Sequence, residues 1–169
     1  PTRRSSDLLI KNAEVKGDTS IVAKSTKGKA FVDKSTLTSK NGSVNVEATA
    51  SNVQVYNGST VNAGTDATVN GKNAYVANAT VNGKNVNVNA TDKAYVYQNA
   101  KLKATENVKI SGESDLAQIQ NATIEDENDS SLEKSYNIIK YILSEYKLYQ
   151  NIISKNNKSP DDKNKKKND

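Results

Sequence analysis

A repeated segment is the feature that most constrains this fold. Residues 73–112 read NAYVANATVNGKNVNVNATD followed by KAYVYQNAKLKATENVKISG, which is one unit written twice. Each copy contains three short runs in which small or β-branched apolar residues alternate with polar ones. Alternation with a period of two residues is typical of a strand with one buried face. Three such strands in each repeated unit predict one coil of a β-solenoid.

The same unit can be traced from Leu9 onward in six copies. Three sets of apolar positions recur at intervals of 19 to 24 residues. They are Val15, Leu37, Val61, Val81, Leu102 and Ile124; Ile21, Val44, Ala67, Val86 and Val108; and Ala30, Val53, Ala74, Ala94 and Leu116. A crossover between parallel strands is right-handed by default. We therefore predict an all-β solenoid over residues 9–127, a right-handed parallel β-helix of six coils.

Asparagine recurs at the corner between the first and second strands of the coils. The positions are Asn12, Asn57, Asn78, Asn99 and Asn121, with Lys34 in the second coil. Asparagine tolerates the left-handed conformation that a corner requires, and stacked Asn side chains can hydrogen-bond from coil to coil. This column predicts an asparagine ladder. The alternative is that the column only reflects how common asparagine is in this chain.

Three aromatic residues share one outward-facing column: Phe31, Tyr75 and Tyr95, with Gln54 between the first two. Exposed rings on a solenoid face could stack on sugar rings. The alternative, which we favour, is that the side chains stack on one another across coils.

Composition and the placement of acidic residues exclude several kinds of chemistry. The chain has no Cys and no His, which excludes disulfides, thiol nucleophiles, Cys/His metal sites and histidine acid/base catalysis. The acidic residues predicted to lie on the solenoid fall at different corners: Asp18, Asp33, Asp66, Asp92 and Asp115. Hydrolases and lyases need clustered carboxylates or a base beside an acid. We therefore expect no enzyme activity, no cofactor and no metal site.

The net charge of +5 is concentrated at the two ends of the chain. The predicted solenoid is nearly neutral, so it lacks the basic stripe that phosphate binding needs and we expect no nucleic-acid partner. The longest apolar runs are shorter than a membrane span requires.

Residues 1–8, PTRRSSDL, resemble translated sequencing-adapter sequence, and we predict that they are not native.

A different pattern follows the repeats. Ser130, Ser131, Leu132 and Glu133 spell a capping box, and apolar residues then recur at steps of three and four, which predicts an amphipathic helix over residues 130–155. Its interaction face is Leu132, Tyr136, Ile139, Leu143 and Tyr146. The helix could cap the open end of the solenoid, self-associate as a coiled coil or lie on a membrane; its mixed charges disfavour the last. Residues 156–169 are rich in Lys and Asn and are predicted to be disordered.

Copies such as NVNVNATDKAYVYQNAKLKATENVKISG resemble the repeats of filamentous-haemagglutinin-type, two-partner-secreted bacterial adhesins. The resemblance covers residues 9–125. It implies a secreted or cell-surface location and a rigid, non-catalytic stalk that adheres to a host surface or to a neighbouring bacterial cell through protein or glycan. The chain differs from that family in having few glycines and a predicted terminal helix.

A bactofilin-like cytoskeletal scaffold, which is also a short β-helix, is the alternative. Such a scaffold needs matching exposed terminal coils, because it grows by self-association through the open end of the solenoid, whereas a helix folded over the last coil would block growth.

Overall fold

A computed structural model of the chain describes residues 6–112 and 117–126. The described residues form thirteen strands and no helix. The strands are β1 (Leu8–Lys11), β2 (Glu14–Gly17), β3 (Ser20–Ser25), β4 (Ala30–Asp33), β5 (Thr36–Ser39), β6 (Ser43–Ala48), β7 (Val53–Tyr56), β8 (Thr60–Ala63), β9 (Asp66–Ala77), β10 (Thr80–Tyr97), β11 (Lys101–Ser111), β12 (Ala117–Gln120) and β13 (Thr123–Asp126).

All the strand pairs are parallel, and each strand lies beside the equivalent strand of the next coil. The strands build three faces. The first face contains β1, β4, β7, residues 73–77 of β9, residues 93–97 of β10, and β12. The second contains β2, β5, β8, residues 80–83 of β10, residues 101–104 of β11, and β13. The third contains β3, β6, residues 66–71 of β9, residues 85–90 of β10 and residues 107–111 of β11.

These faces confirm the predicted parallel β-solenoid. The described strands make five complete coils, and β12 and β13 add two strands beyond the fifth. Six complete coils are therefore not supported, because a third strand of the sixth coil would have to lie beyond Asp126. The predicted helix over residues 130–155, with its face, and the predicted disordered tail lie outside the described residues. Within the described parts of the chain, no helix is long and apolar enough to cross a membrane.

The core is narrow and is made of the inward-facing residues of the three faces. Branched aliphatic residues and alanines fill it, and Leu37 and Leu102 are the largest of its fully buried side chains. The column that starts at Val15 runs through Leu37, Val61, Val81 and Leu102 to Ile124 in the register predicted from the spacing. The column from Ile21 to Val108 also matches. The sequence period therefore corresponds directly to coil-to-coil stacking.

The predicted register fails in the last strand of the first face. Ala94 pairs with Ala117, not with Leu116, which lies outside the described residues. Ile119 consequently pairs with Val96, while Gln118 and Gln120 take the alternate positions. A shift of one residue moves every side chain of a strand to the other face. If Leu116 occupied the inward position beside Ala94, as predicted, Ile119 would face outward.

The first strand begins one residue earlier than predicted. Leu8 pairs with Ala30 in the second coil, and its side chain packs against the core. Asp7 Oδ1 accepts a hydrogen bond of 2.8 Å from the Lys29 main-chain N–H, and the Ser6 main-chain oxygen accepts one of 2.8 Å from Ser25 Oγ. Residues 6–8 therefore contact the solenoid, while the non-native origin of residues 1–8 stays a prediction.

Candidate functional surfaces

The asparagine corner adopts the left-handed backbone conformation in every coil. The φ angles are 49° at Asn12, 57° at Asn57, 46° at Asn78, 62° at Asn99 and 51° at Asn121, and Lys34 has φ 48° in the second coil. Residues with Cβ adopt this region rarely, and asparagine is among the few that do so at low cost. The backbone requirement explains why asparagine recurs at this corner.

Main-chain hydrogen bonds connect successive members of this corner. Asn99 N donates to Asn121 O at 2.6 Å, Gly58 N donates to Asn78 O at 2.6 Å, and Asn12 N donates to Asp33 O at 3.0 Å. The Asn57 side chain donates to Asp33 Oδ1 of the preceding coil at 2.8 Å. The corner column therefore stacks through its backbone, and its one described side-chain bond between coils has an acidic acceptor.

Asparagine side chains form ladders in other columns. On the second face, Asn82 Nδ2 donates to Asn62 Oδ1 at 2.7 Å, and Asn62 Nδ2 donates to Thr38 Oγ1 at 3.3 Å. On the third face, Asn107 Nδ2 donates to Asn85 Oδ1 and Asn85 Nδ2 donates to Asp66 Oδ1, each at 2.9 Å. Each ladder spans three coils, so outward-facing amides join the coils along two faces.

A buried serine ladder lies beside the asparagine corner and was not predicted from the sequence. Ser59 Oγ lies 2.6 Å from Tyr56 O and 3.0 Å from Val32 O, the two acceptors within reach of its proton, and it accepts a bond of 3.2 Å from Ser35 N. Ser35 Oγ in turn accepts a bond of 3.1 Å from Ala13 N. Both serines are almost fully buried. Because main-chain groups of adjacent coils hydrogen-bond to both hydroxyls, these serines join coils.

The aromatic residues assemble on the first face. Phe31, Gln54, Tyr75 and Tyr95 occupy successive positions of one column, as predicted. The rings of Tyr75 and Tyr95 stack with centroids 5.1 Å apart and an interplanar angle of 5°. Tyr56, from the adjacent column, packs its ring edge to face with Phe31 at 6.4 Å and 69°. The aromatic surface therefore comprises Phe31, Tyr56, Tyr75 and Tyr95.

Ring geometry decides what this surface can do chemically. A sugar stacks on the flat face of an aromatic ring. In the Tyr75–Tyr95 pair, one face of each ring already contacts the other ring, so the stacking energy joins the fourth coil to the fifth. Burial, followed by the charges of Tyr95, Tyr97 and Asp92, raises the pKa of the Tyr75 hydroxyl above its ordinary value. The geometry favours a stabilising role for these rings over a sugar platform.

Charged side chains pair locally across the faces. Lys103 Nζ lies 2.7 Å from Glu125 Oε2, Lys24 Nζ lies 3.1 Å from Glu47 Oε2, and Lys11 Nζ lies 3.6 Å from the buried Asp33. Each of these pairs joins adjacent coils. Among the described residues, no three His, Cys, Asp or Glu side chains come together in a group that could hold a metal ion.

The two ends of the described solenoid expose apolar residues that face inward in the other coils. Leu8, Ile10 and Val15 are half-buried in the first coil, and Ile124 is half-buried in the last. Ile119 is 38% exposed. In the part of the chain that the structure describes, β1, β2, β12 and β13 each pair with strands on one side only. Both ends therefore present strand edges with apolar side chains behind them.

Comparisons with protein-family models, with curated proteins and with solved structures found no match to this chain. The resemblance to haemagglutinin-type repeats consequently stays a prediction that rests on the residue pattern alone.

Proposed function

We propose that this chain is a non-catalytic, structural and adhesive segment of a secreted or cell-surface bacterial adhesin, in which the solenoid acts as a rigid stalk. The observation that carries the proposal is that each of the three faces has interactions, other than the strand hydrogen bonds, that join two or three adjacent coils. The first face has stacked aromatic rings, the second has the Asn82–Asn62–Thr38 ladder, and the third has the Asn107–Asn85–Asp66 ladder.

Rigidity follows from this construction. A solenoid in which each coil contacts only its neighbours bends at its weakest junction. Here the junction between the fourth and fifth coils, for example, carries the Tyr75–Tyr95 stack and the continuous inward column from Val81 to Leu102. At about 4.8 Å for each strand spacing, the five spacings from the first coil to β13 span roughly 24 Å. The segment therefore supplies a short, stiff spacer.

Adhesion is tested with beads that carry the full chain through a terminal biotin tag. We expect these beads to attach to cultured epithelial cells several-fold more often than uncoated beads. The matched control carries Leu37→Asp, which places a charge in the fully buried core and unfolds the solenoid while changing one residue. Attachment equal to that of uncoated beads, with the chain shown to be folded by circular dichroism, would refute the adhesive part of the proposal.

A bactofilin-like scaffold is the second candidate, and one observation favours it. The corner that leads from the first to the second strand has the sequence Asn-Ala and a left-handed asparagine in both the first and the last coil, at Asn12 and Asn121. Matching terminal coils are what a solenoid polymer requires. Filaments formed by the full chain at micromolar concentration, visible by negative-stain electron microscopy, together with no attachment of the coated beads to cells, would favour the scaffold over the stalk.

A further inference from the structure

The first coil directs some main-chain groups of β2 away from the second coil, toward the side where the described residues provide no partner strand. The oxygens of Ala13 and Gly17 accept hydrogen bonds of 2.9 and 3.0 Å from Thr36 N and Lys40 N of the second coil. Successive residues of a strand direct their main-chain groups to opposite sides. The N–H and C=O groups of Glu14 and Lys16 consequently point away from the second coil, toward the edge that is unpaired among the described strands.

The last coil presents the complementary edge along β13. Thr123 N donates to Ala100 O of the fifth coil at 2.9 Å. The same alternation directs the main-chain groups of the next residue, Ile124, away from the fifth coil. In a parallel pair, a residue does not bond to the residue directly beside it but to the two residues on either side of that one. If Ile124 lies beside Val15, its N–H and C=O groups therefore face those of Glu14 and Lys16. These are the β2 groups that point away from the second coil, so donors and acceptors match.

This register also aligns the side chains of the two ends. It places Asn121 beside Asn12, and their φ angles of 51° and 49° agree closely. It places Ile119 beside Ile10 and Ile124 beside Val15, all of which are exposed or only partly buried at the ends of the described solenoid. Continuing the stack therefore buries apolar residues in the columns that are buried in the middle coils.

Charge complementarity identifies the occupant of this edge. Glu125 pairs with Lys103 at 2.7 Å in the outward column of the second face. The first-coil member of that same column is Lys16, whose side chain is 70% exposed and lies 2.8 Å from Glu14 Oε1 of its own strand. A coil with Lys16 stacked on β13 would give the column Lys103–Glu125–Lys16, in which the charges alternate.

We propose that the last coil binds the first coil of a second copy of this chain, head to tail and in continuous register. In this junction β12 pairs with β1 of the second copy and β13 pairs with β2. Ile119 lies beside Ile10, Asn121 beside Asn12, Ile124 beside Val15, and Glu125 beside Lys16. The inference rests on the solenoid and its two ends and does not depend on the adhesive proposal.

Disulfide trapping tests the junction, since the chain contains no cysteine of its own. Thr123 and Glu14 occupy the same outward column. In the proposed junction their Cα atoms lie about one strand spacing apart, roughly 4.8 Å, which suits a disulfide. Within one molecule they are separated by about five strand spacings, roughly 24 Å. A disulfide in the variant Glu14→Cys/Thr123→Cys must therefore join two molecules.

We expect mild oxidation of the full-length double variant to give a ladder of dimers, trimers and higher species on non-reducing gels. The control Glu14→Cys/Asn87→Cys moves one cysteine to the third face of a middle coil and should stay monomeric. A dimer from Glu14→Cys alone would indicate head-to-head contact and would overturn the proposal. Absence of cross-linking in the double variant, with an unchanged circular dichroism spectrum, would overturn it as well.

Sedimentation velocity tests the charge column separately. Lys16→Glu places two acidic residues side by side in the junction, so we expect the association constant to fall about tenfold. The matched control Lys72→Glu makes the same charge change at an exposed corner of a middle coil and should leave association unchanged. Equal association by both variants would refute the proposed register. The attachment of coated beads to cells tests the adhesive proposal, whereas cross-linking and sedimentation test the head-to-tail junction. Failure of one proposal is therefore distinguished from failure of the other.

Discussion

At the scale of single residues, the left-handed corner gives a direct test of backbone strain. Lys34 has φ 48°, at a corner where all five other coils have a left-handed asparagine. Left-handed geometry costs most residues roughly 1 kcal/mol or more and costs asparagine less. We expect Lys34→Asn to raise the free energy of unfolding by about 0.5 to 1 kcal/mol, measured by urea denaturation.

The control makes the same lysine-to-asparagine substitution at a corner where the backbone does not have a positive φ. Lys72 is exposed and does not have a left-handed backbone. Lys72→Asn should alter the stability by less than about 0.5 kcal/mol. A stabilisation of similar size at both positions would mean that removal of a lysine charge, and not relief of backbone strain, is responsible.

At the scale of elements, the Tyr75–Tyr95 stack links stability to alkaline pH. Burial raises the pKa of Tyr75, as do the neighbouring Tyr95, Tyr97 and Asp92, so the folded chain holds this proton more tightly than the unfolded chain. The stabilisation is complete below the ordinary pKa of about 10 and is lost as the pH rises from there through the folded-state pKa. The unfolding free energy should therefore decrease more steeply above pH 10 in the native chain than in Tyr75→Phe.

Urea unfolding at pH 8, 10 and 11 measures this difference, and the value at pH 8 corrects for the lost hydroxyl. Tyr56 also has a raised pKa, through burial and then the charge of Asp33. The double variant Tyr56→Phe/Tyr75→Phe should consequently show a smaller alkaline decrease than either single variant. Parallel pH profiles for the native chain and Tyr75→Phe would contradict this account.

The strands differ in how well the sequence predicts them. Alternation of Val with polar residues identifies the inward columns of the middle coils, because only one of the two registers buries the valines. For β12, the sequence offers two apolar residues, Leu116 and Ala117, for the inward position beside Ala94. Size favours the leucine, but the structure selects Ala117 because Ile119 then pairs with Val96. Local alternation outweighs the size of one side chain.

Side-chain partners are predicted less well than columns. The sequence identifies the corner asparagines, since a left-handed backbone restricts the residue type. It does not distinguish which of many outward asparagines bond to one another, such as Asn82 and Asn62. The contacts that join Ser59 to the second coil are also invisible to it, because Val32 lies 27 residues away and becomes a neighbour only after the chain has coiled.

At the scale of the whole molecule, each coil is stabilised by its neighbours, so the ends of the described solenoid should open before the middle. Val61, Val69 and Val76 are fully buried between coils, whereas Val15 and Ile124 are only partly buried. In a repeat protein with nearest-neighbour coupling, local opening at an end breaks one junction and opening in the middle breaks two. Protection from hydrogen exchange should therefore be highest in the middle coils.

Hydrogen exchange followed by mass spectrometry checks this gradient, with peptides that cover residues 53–81 compared with peptides that cover residues 8–17 and 117–126. At low concentration we expect the amides of the middle peptides to exchange at least tenfold more slowly. Raising the concentration adds a second effect, because head-to-tail junctions would protect both ends together. Slow exchange at the ends even in dilute solution would contradict the nearest-neighbour account, and protection that rises at one end only would contradict the head-to-tail junction.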